Sequence, residues 1–369
     1  MAKKKRVDFR KNRSKPPRAN DLTTGFQQHG FKEEATVGGE RVRTKGDLSR
    51  KRTIQVDDDG ALSSIDLTAC ESGRVLRVHG LDCVVEMKDG RLLRAKVRRL
   101  LKTMATDERN AVTTGDHVWV RQSLNDEGLI ERVEPRHGIL TRASRNREHI
   151  LVSNVDQVVI VMAIVEPDLK PHLIDRYIAS AAQGGIKPII CLNKVDLVDP
   201  VEYQPIVGFY SQLGVPTLLT SASTGAGLEP LRRLLKDRET VFSGQSGVGK
   251  SSLLNAIQPG LALQVREVSD VNQKGKHTTT TSQLLKLDFG GWVVDTPGIR
   301  QFELWNTTPE EVEGYFTEFR PFVALCAFPD CTHTHEERCA VKNAVGRRLI
   351  SEKRYFSYLG MATGQEIED

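Results

Sequence analysis

The run from Val241 to Asn255, V-F-S-G-Q-S-G-V-G-K-S-S-L-L-N, admits few folds. It contains Gly244-x-x-x-x-Gly249-Lys250-Ser251, the pattern of a loop that wraps nucleotide phosphates. Gly244, Gly247 and Gly249 let the backbone turn sharply, so that it brings its N–H groups, including those of Gln245, Ser246 and Val248, against phosphate oxygens. Ser252, Leu253, Leu254 and Ala256 then open a helix, whose N-terminal dipole adds to the anion site. Lys250 is placed to reach the β- and γ-phosphates, and the Ser251 hydroxyl to coordinate Mg2+. A Gly-rich turn before an ordinary helix is the blander reading, and the strand-like lead-in E-T-V-F argues against it.

The partners of this loop lie on both sides of it. Asp295-Thr296-Pro297-Gly298 follows two apolar runs, Leu284 to Phe289 and Trp292 to Val294, that read as paired strands. Asp295 at a strand end suits indirect Mg2+ coordination, and the Gly298 amide suits the γ-phosphate. Asn193-Lys194-Val195-Asp196 follows a strand from Pro188 to Leu192. The Asp196 carboxylate can accept the N1 and N2 protons of guanine, which adenine does not offer. Thr220-Ser221-Ala222, also after a strand, offers a backbone N–H to the guanine oxygen. N-K-x-D alone is a weak signal; with the phosphate loop it predicts a guanine nucleotide. Most proteins built this way run phosphate loop, switch, D-x-x-G, N-K-x-D, S-A. Here N-K-V-D and S-A come first, which is a circular permutation, the same site assembled from a chain cut at a surface loop. The chain therefore leaves D-T-P-G directly into its C-terminal part, which nucleotide state is expected to move.

Gly275-Lys276-His277-Thr278-Thr279-Thr280-Thr281 occupies the place of the first switch. Thr279, with Thr278 close behind, is the candidate for Mg2+ and γ-phosphate; Thr280 and Thr281 read as the start of a strand. Where many GTPases have a water-orienting glutamine after Gly298, this chain has Ile299, which cannot do that work. His277 is the candidate positioner, which with Lys250 and Thr279 makes the expected catalytic set. The other reading of His277 is a switch histidine that touches only a partner RNA.

At 369 residues two or three domains are expected. Lys and Arg number 53 against 48 Asp and Glu, a net charge of +5, mildly favourable to polyanions. No apolar run approaches the ~20 residues of a membrane span and the N-terminus has no signal-peptide core, so no membrane is expected. Six cysteines are too few and too unevenly placed for a disulfide scaffold, so a reducing compartment, the cytosol, is expected. Residues 1–68 are basic, with few apolar residues, and read as a disordered arm suited to RNA phosphate, or as a solvated tail. Residues 69–138 carry five short strand patterns, Gly73 to His79, Leu81 to Met87, Arg91 to Val97, His117 to Arg121 and Leu129 to Glu134, separated by turn signals. They suggest a Greek-key barrel of the OB type, made basic by Arg91, Arg94, Lys96, Arg98 and Arg99. Pro135 through Arg147 reads as a basic, polar linker. Residues 139–310 alternate strands and helices, which argues a mostly parallel sheet covered on both faces. In residues 311–369, Cys326-x4-Cys331-x-His333-x5-Cys339 supplies a closed Cys3His shell for structural zinc, with His335 an alternative to His333. Helical signals at Glu310 to Phe319 and Val341 to Tyr358 suggest a small domain stapled by that metal, and Lys342, Arg347, Arg348, Lys353 and Arg354 a second basic surface.

Basic arm, OB-like barrel, permuted G-Q-S-G-V-G-K-S-S and D-T-P-G, and a C-x4-C-x-H-x5-C tail together resemble the RsgA (YjeQ) family, from about Glu71 to the C-terminus. The resemblance implies a monomeric GTPase that acts in late maturation of the small (30S) ribosomal subunit. Its hydrolysis of GTP to GDP would be stimulated by that subunit, and the protein would bind rRNA and leave on hydrolysis. It also implies nucleotide contacts from Asn193 to Asp196 and from Gly244 to Ser252, and zinc on Cys326, Cys331, His333 and Cys339. The arm has no match in that pattern. Two other readings stand beside this one: a permuted GTPase serving the large subunit, and an RNA-binding placeholder that uses GTP as a conformational lock.

Overall fold

The computed structural model describes residues 3–8, 51–56, 67–80, 82–98, 101, 111–123, 127–144, 147–261, 282–295 and 309–364. Within the arm, strand β1 (Lys3–Asp8) pairs antiparallel with β2 (Lys51–Val56), in register from Lys3↔Val56 to Asp8↔Lys51. The arm expected to lack regular structure therefore carries a strand pair at these two segments. Thr53, Ile54 and Val56 favour extended backbone, and the pairing engages the N–H and C=O groups on the facing edges of the two segments.

Five strands follow: β3 (Glu71–His79), β4 (Asp82–Met87), β5 (Leu92–Val97), β6 (His117–Gln122) and β7 (Glu127–Val133). Their order is β3-β4-β5-β7-β6, and β6 pairs back onto β3, so the sheet closes. Only β5 and β7 run parallel, which gives the five-stranded OB-type barrel. Period-two alternation fills it: Val75, Val85, Leu93, Ala95, Val118, Val120 and Ile130 point inward and are almost fully buried.

The segment after the barrel is not the polar linker its composition suggests. Strands β8 (Leu140–Ser144) and β9 (Arg147–Val152) form an antiparallel hairpin, with Leu140, Ile150 and Val152 buried. Arg136 is turned inward onto the fully buried carboxylate of Asp116, at 2.8 and 2.9 Å. A charge can face inward here because its partner is already there.

The next sheet has the order β12-β11-β10-β13-β15-β14: β10 (Gln157–Ala163), β11 (Lys187–Asn193), β12 (Thr217–Leu219), β13 (Glu239–Ser243), β14 (Gln283–Lys286) and β15 (Trp292–Asp295). All neighbours are parallel except β14 against β15. β10 lies between β11 and β13 and is buried along its whole length, as an inner parallel strand must be. Its side chains sort by parity. Val158, Ile160 and Met162 join the core under helices α1 (Pro171–Gln183) and α2 (Gln204–Gln212), with Ile174, Tyr177 and Tyr210. Val159, Val161 and Ala163 join the opposite core under α3 (Leu228–Leu235) and α4 (Lys250–Ile257), with Leu231, Leu235 and Leu253. Cys191 is packed in that second core. Single strand pairing between Gln283 and Arg77 joins β14 to β3, so barrel and parallel sheet are continuous.

The C-terminal part comprises α5 (Pro309–Gly314), α6 (Arg320–Val323), α7 (Ala340–Gly346) and α8 (Glu352–Thr363), packed around Phe316, Phe319, Val341 and Tyr358. The helical signal from Val341 to Tyr358 is broken between α7 and α8, where Arg348 takes a positive φ of 61°. Among the described residues no helix is long and apolar enough to cross a membrane.

Candidate functional site

Strand β13, central in its sheet, delivers the phosphate loop, and α4 begins at Lys250. Gly244, Gly247 and Gly249 take φ of 146°, 83° and 90°. A Cβ on Gly244 would strike the Val161 carbonyl of β10, and one on Gly249 would strike the Asn193 side chain. The loop is thus glycine at these positions for close approach as well as for turning. Val248 is buried in the core and anchors the loop, whereas Ser246, Gly247, Ser251 and Ser252 face solvent and Gln245 is half-buried. Lys250 Nζ donates to the carbonyls of Gly244 (2.7 Å) and Gln245 (2.6 Å), which holds its ammonium over the loop.

The second half of the site comes from the neighbouring strands. β11 ends at Asn193, whose Nδ2 donates to Val248 O at 2.9 Å and whose Oδ1 accepts from Thr220 Oγ1 at 3.3 Å. One buried side chain thereby ties together the phosphate loop, N-K-V-D and the Thr220-Ser221-Ala222 turn. Lys194 has a left-handed φ of 66° and its Nζ donates to Glu166 O in the loop after β10. Val195 begins a short 3-10 turn, and its amide donates to Thr220 O at 3.2 Å. Asp196 is exposed and accepts from Ser223 Oγ at 2.8 Å. Hydrogen bonds from the Ser221 and Ser223 hydroxyls hold its carboxyl below the usual range, so it is an acceptor ready for N–H donors. The Ser221 amide is engaged by Ala226 O at 3.0 Å. Asp295 closes β15, beside β13. His277, Thr279 and Gly298, with Thr278 and Ile299, lie outside the described residues.

A second constellation lies in the C-terminal part. The ligand atoms of Cys326, Cys331, His333 and Cys339 fall within 4.8 Å of one another. His333 Nδ1 stands 3.3 Å from Cys339 Sγ and 3.6 Å from Cys326 Sγ, and its Nε2 meets Glu313 Oε2 at 2.9 Å. A carboxylate on the far nitrogen fixes the tautomer that leaves Nδ1 free for a metal. His335 instead points outward to Thr334 Oγ1, at 3.0 Å, so the structure brings His333 and not His335 to the cluster. Burial pushes the Cys331 thiol up to about 12 and the Cys339 thiol upward, so a nearby cation would favour ionisation of these two sulfurs.

The expected basic surfaces are only partly exposed. On the barrel, Arg94 and Lys96 face solvent, while Arg91 binds Glu71 and Asp89, and Arg98 binds Glu131 at 2.7 Å. Arg99 lies outside the described residues. In the C-terminal part Arg347, Arg348 and Lys353 are exposed, and Lys342 caps carbonyls of Thr334 and Glu336. Arg354 is not on a surface at all. It is 3% exposed and pairs with Asp175 of α1 (3.0 Å) and Glu318 (2.7 Å), over the Phe316 ring. Tyr210 donates to the same Asp175, at 2.9 Å. Neither this network nor the role of Glu313 has any local sequence signature, because each joins residues far apart in the chain.

Every nucleotide motif that the structure describes stands at the carboxyl end of a parallel strand, where open α/β sheets bind ligands. With the chain order inverted around that sheet, this is a circularly permuted P-loop GTPase. Comparison with known proteins narrows it further: residues 133–305 match the family model described as RsgA GTPase. The small ribosomal subunit biogenesis GTPase RsgA of Shewanella oneidensis is 40% identical over 326 residues, 86% of this chain and 88% of the relative. The relative of the same name in Bacteroides fragilis is 38% identical over 302 residues, 80% and 97% of the two chains. Among solved structures, YjeQ from Thermotoga maritima is similar with a TM-score of 0.67 and 36% identity, covering 80% of this chain and 98% of that one. YloQ, described as a circularly permuted GTPase, follows with a TM-score of 0.62 and 26% identity, covering 80% and 95%. The chain belongs to the RsgA GTPase family, and it is a GTP hydrolase.

Proposed function

We propose that this GTPase acts in late maturation of the small ribosomal subunit. It docks on rRNA while loaded with GTP and departs once GTP is hydrolysed. The observation that carries the reading is the extent of the likeness: relatives named for small-subunit biogenesis align over 86% and 80% of this chain. Exposed Arg94 and Lys96 on the barrel, and Arg347, Arg348 and Lys353 at the other end, suit phosphate contacts.

At the nucleotide, Lys250 and the amides from Gly244 to Ser252 cradle the phosphates, and Asp196 accepts from guanine. With the Ser221 amide engaged, the guanine oxygen falls to Ala222. Asn193 and Lys194 hold these loops in place, with Val195 between. Ser251, Asp295 and Thr279 would hold Mg2+, which offsets phosphate charge in the transition state. Gly298 meets the γ-phosphate, and His277 orients the attacking water in place of the side chain that Ile299 lacks. Zn2+ fits Cys326, Cys331, His333 and Cys339, a closed shell that staples the C-terminal helices. The protein works as a monomer in the cytoplasm.

The test is multiple-turnover GTP hydrolysis by the protein alone, with small subunits and with large subunits. Stimulation of wild type by small subunits only is expected. His277→Ala should lose most of that stimulation with GTP affinity unchanged. Stimulation by large subunits, or by neither, overturns the partner.

A further inference from the structure

The barrel grips the nucleotide domain at the point where the chain re-enters the sheet after the first switch. Thr114, 2% exposed in the turn before β6, donates its hydroxyl to Ser282 O at 2.8 Å. Ser282 is the residue immediately ahead of β14. The Thr114 carbonyl accepts from Ser153 N at 3.0 Å, so this one residue links barrel, hairpin and switch strand. The turn that carries it is rigid. Two residues on, Asp116 accepts from Thr113 N (2.8 Å), Ser153 Oγ (2.6 Å) and both Arg136 donors (2.8 and 2.9 Å). Gly115, at φ 93°, leaves no room for a side chain against the Ser153 carbonyl. One residue past Ser282, Gln283 pairs with Arg77 of the barrel.

We propose that Thr114 is a positioning residue for GTP hydrolysis, which transmits docking of the barrel to the first switch by holding the Ser282 carbonyl. The proposal rests on the small-subunit reading and on Thr279 as the switch threonine. β14 is only four residues long, so the placement of its start governs where the preceding chain enters the site. Thr279 stands three positions ahead of Ser282, so the chain between them can span at most ~10 Å. On this proposal a shift of the barrel that moves Thr114 is passed to Ser282 and so to the start of β14.

Thr114→Val removes the donor and keeps the shape; Thr114→Ser keeps the donor. With saturating small subunits, Thr114→Val is expected to lower kcat about tenfold, a typical coupling, with KM for GTP unchanged. Thr114→Ser is expected to restore it, and the melting temperatures of both variants to stay near wild type. Full stimulation of Thr114→Val overturns the coupling. So does a parallel loss of kcat and melting temperature in both variants, which is the mark of mere packing. Wild type serves as control: if small subunits do not stimulate it, the partner reading falls and the coupling falls with it. Stimulation of wild type and Thr114→Val alike removes the coupling alone.

Discussion

Asp196 is the side chain on which the proposed guanine selection rests. It sits in solvent at a strand end, and two serine hydroxyls keep it ionised. The sign follows from the lowered pKa. The carboxylate is present throughout neutral and mildly acidic pH, so guanine binding through Asp196, as proposed, should be lost only as pH falls below the ordinary carboxylate range. Asp196→Asn replaces an acceptor by a donor at the guanine N1 and N2 positions. It should weaken GTP roughly 100-fold or more while improving binding of xanthosine triphosphate, whose 2-oxo group accepts. Competition against a fluorescent guanine nucleotide checks this; unchanged GTP affinity would remove Asp196 from the base site. Asn193, by contrast, works through others: it is buried and spends its amide on Val248 O and Thr220, so its part is to align the loops.

At the scale of elements, the Cys3His group and the C-terminal helices are packed into one core. Its helices are short, and a core of this size rarely supplies more than about 3–5 kcal/mol. On the zinc reading proposed above, a structural metal would contribute about 10–16 kcal/mol of apparent binding energy at neutral pH and would decide whether the unit is folded. Chelation should accordingly lower its helix content. Glu313 of α5 reaches His333 Nε2 and couples the first helix to the ligand set. Glu313→Ala should weaken zinc about 10- to 100-fold, as read by competition with a chromophoric chelator, and Glu313→Gln should keep more of the affinity. Unaltered affinity in Glu313→Ala would mean that packing alone orients the imidazole.

For the molecule as a whole, the question is what joins the C-terminal unit to the nucleotide domain besides the chain itself. Arg354 answers it. Burial works against its charge, and Asp175 and Glu318 more than offset that, so its pKa is raised and the guanidinium stays protonated. Removing one partner of such a buried set leaves carboxylates uncompensated. Arg354→Ala should destabilise docking of the C-terminal unit by about 3–5 kcal/mol. The loss would appear as an earlier first transition in denaturant and faster proteolysis between the domains. Asp175→Asn in the same background should recover part of it, since the stranded charge is then gone. If the transitions do not move, the network is neutral and the domains are held by apolar contact.

The sequence by itself determined the ligand class, the permuted order, the five barrel strands and the three thiols of the candidate metal cluster. Each of these is written in local spacing: glycines at fixed offsets, apolar residues at period two or near 3.6, thiols clustered within a short run. Tertiary structure alone decided which of two neighbouring histidines faces the thiols, because His333 and His335 differ only in the direction the backbone gives them. It alone turned Arg136 and Arg354 inward, against a composition that reads as basic surface, since their partners Asp116, Asp175 and Glu318 lie elsewhere in the chain. The same holds for Thr114 and Ser282. Contacts between residues more than a hundred positions apart leave no periodic trace, and only the closed barrel set against β14 brings them within a hydrogen bond.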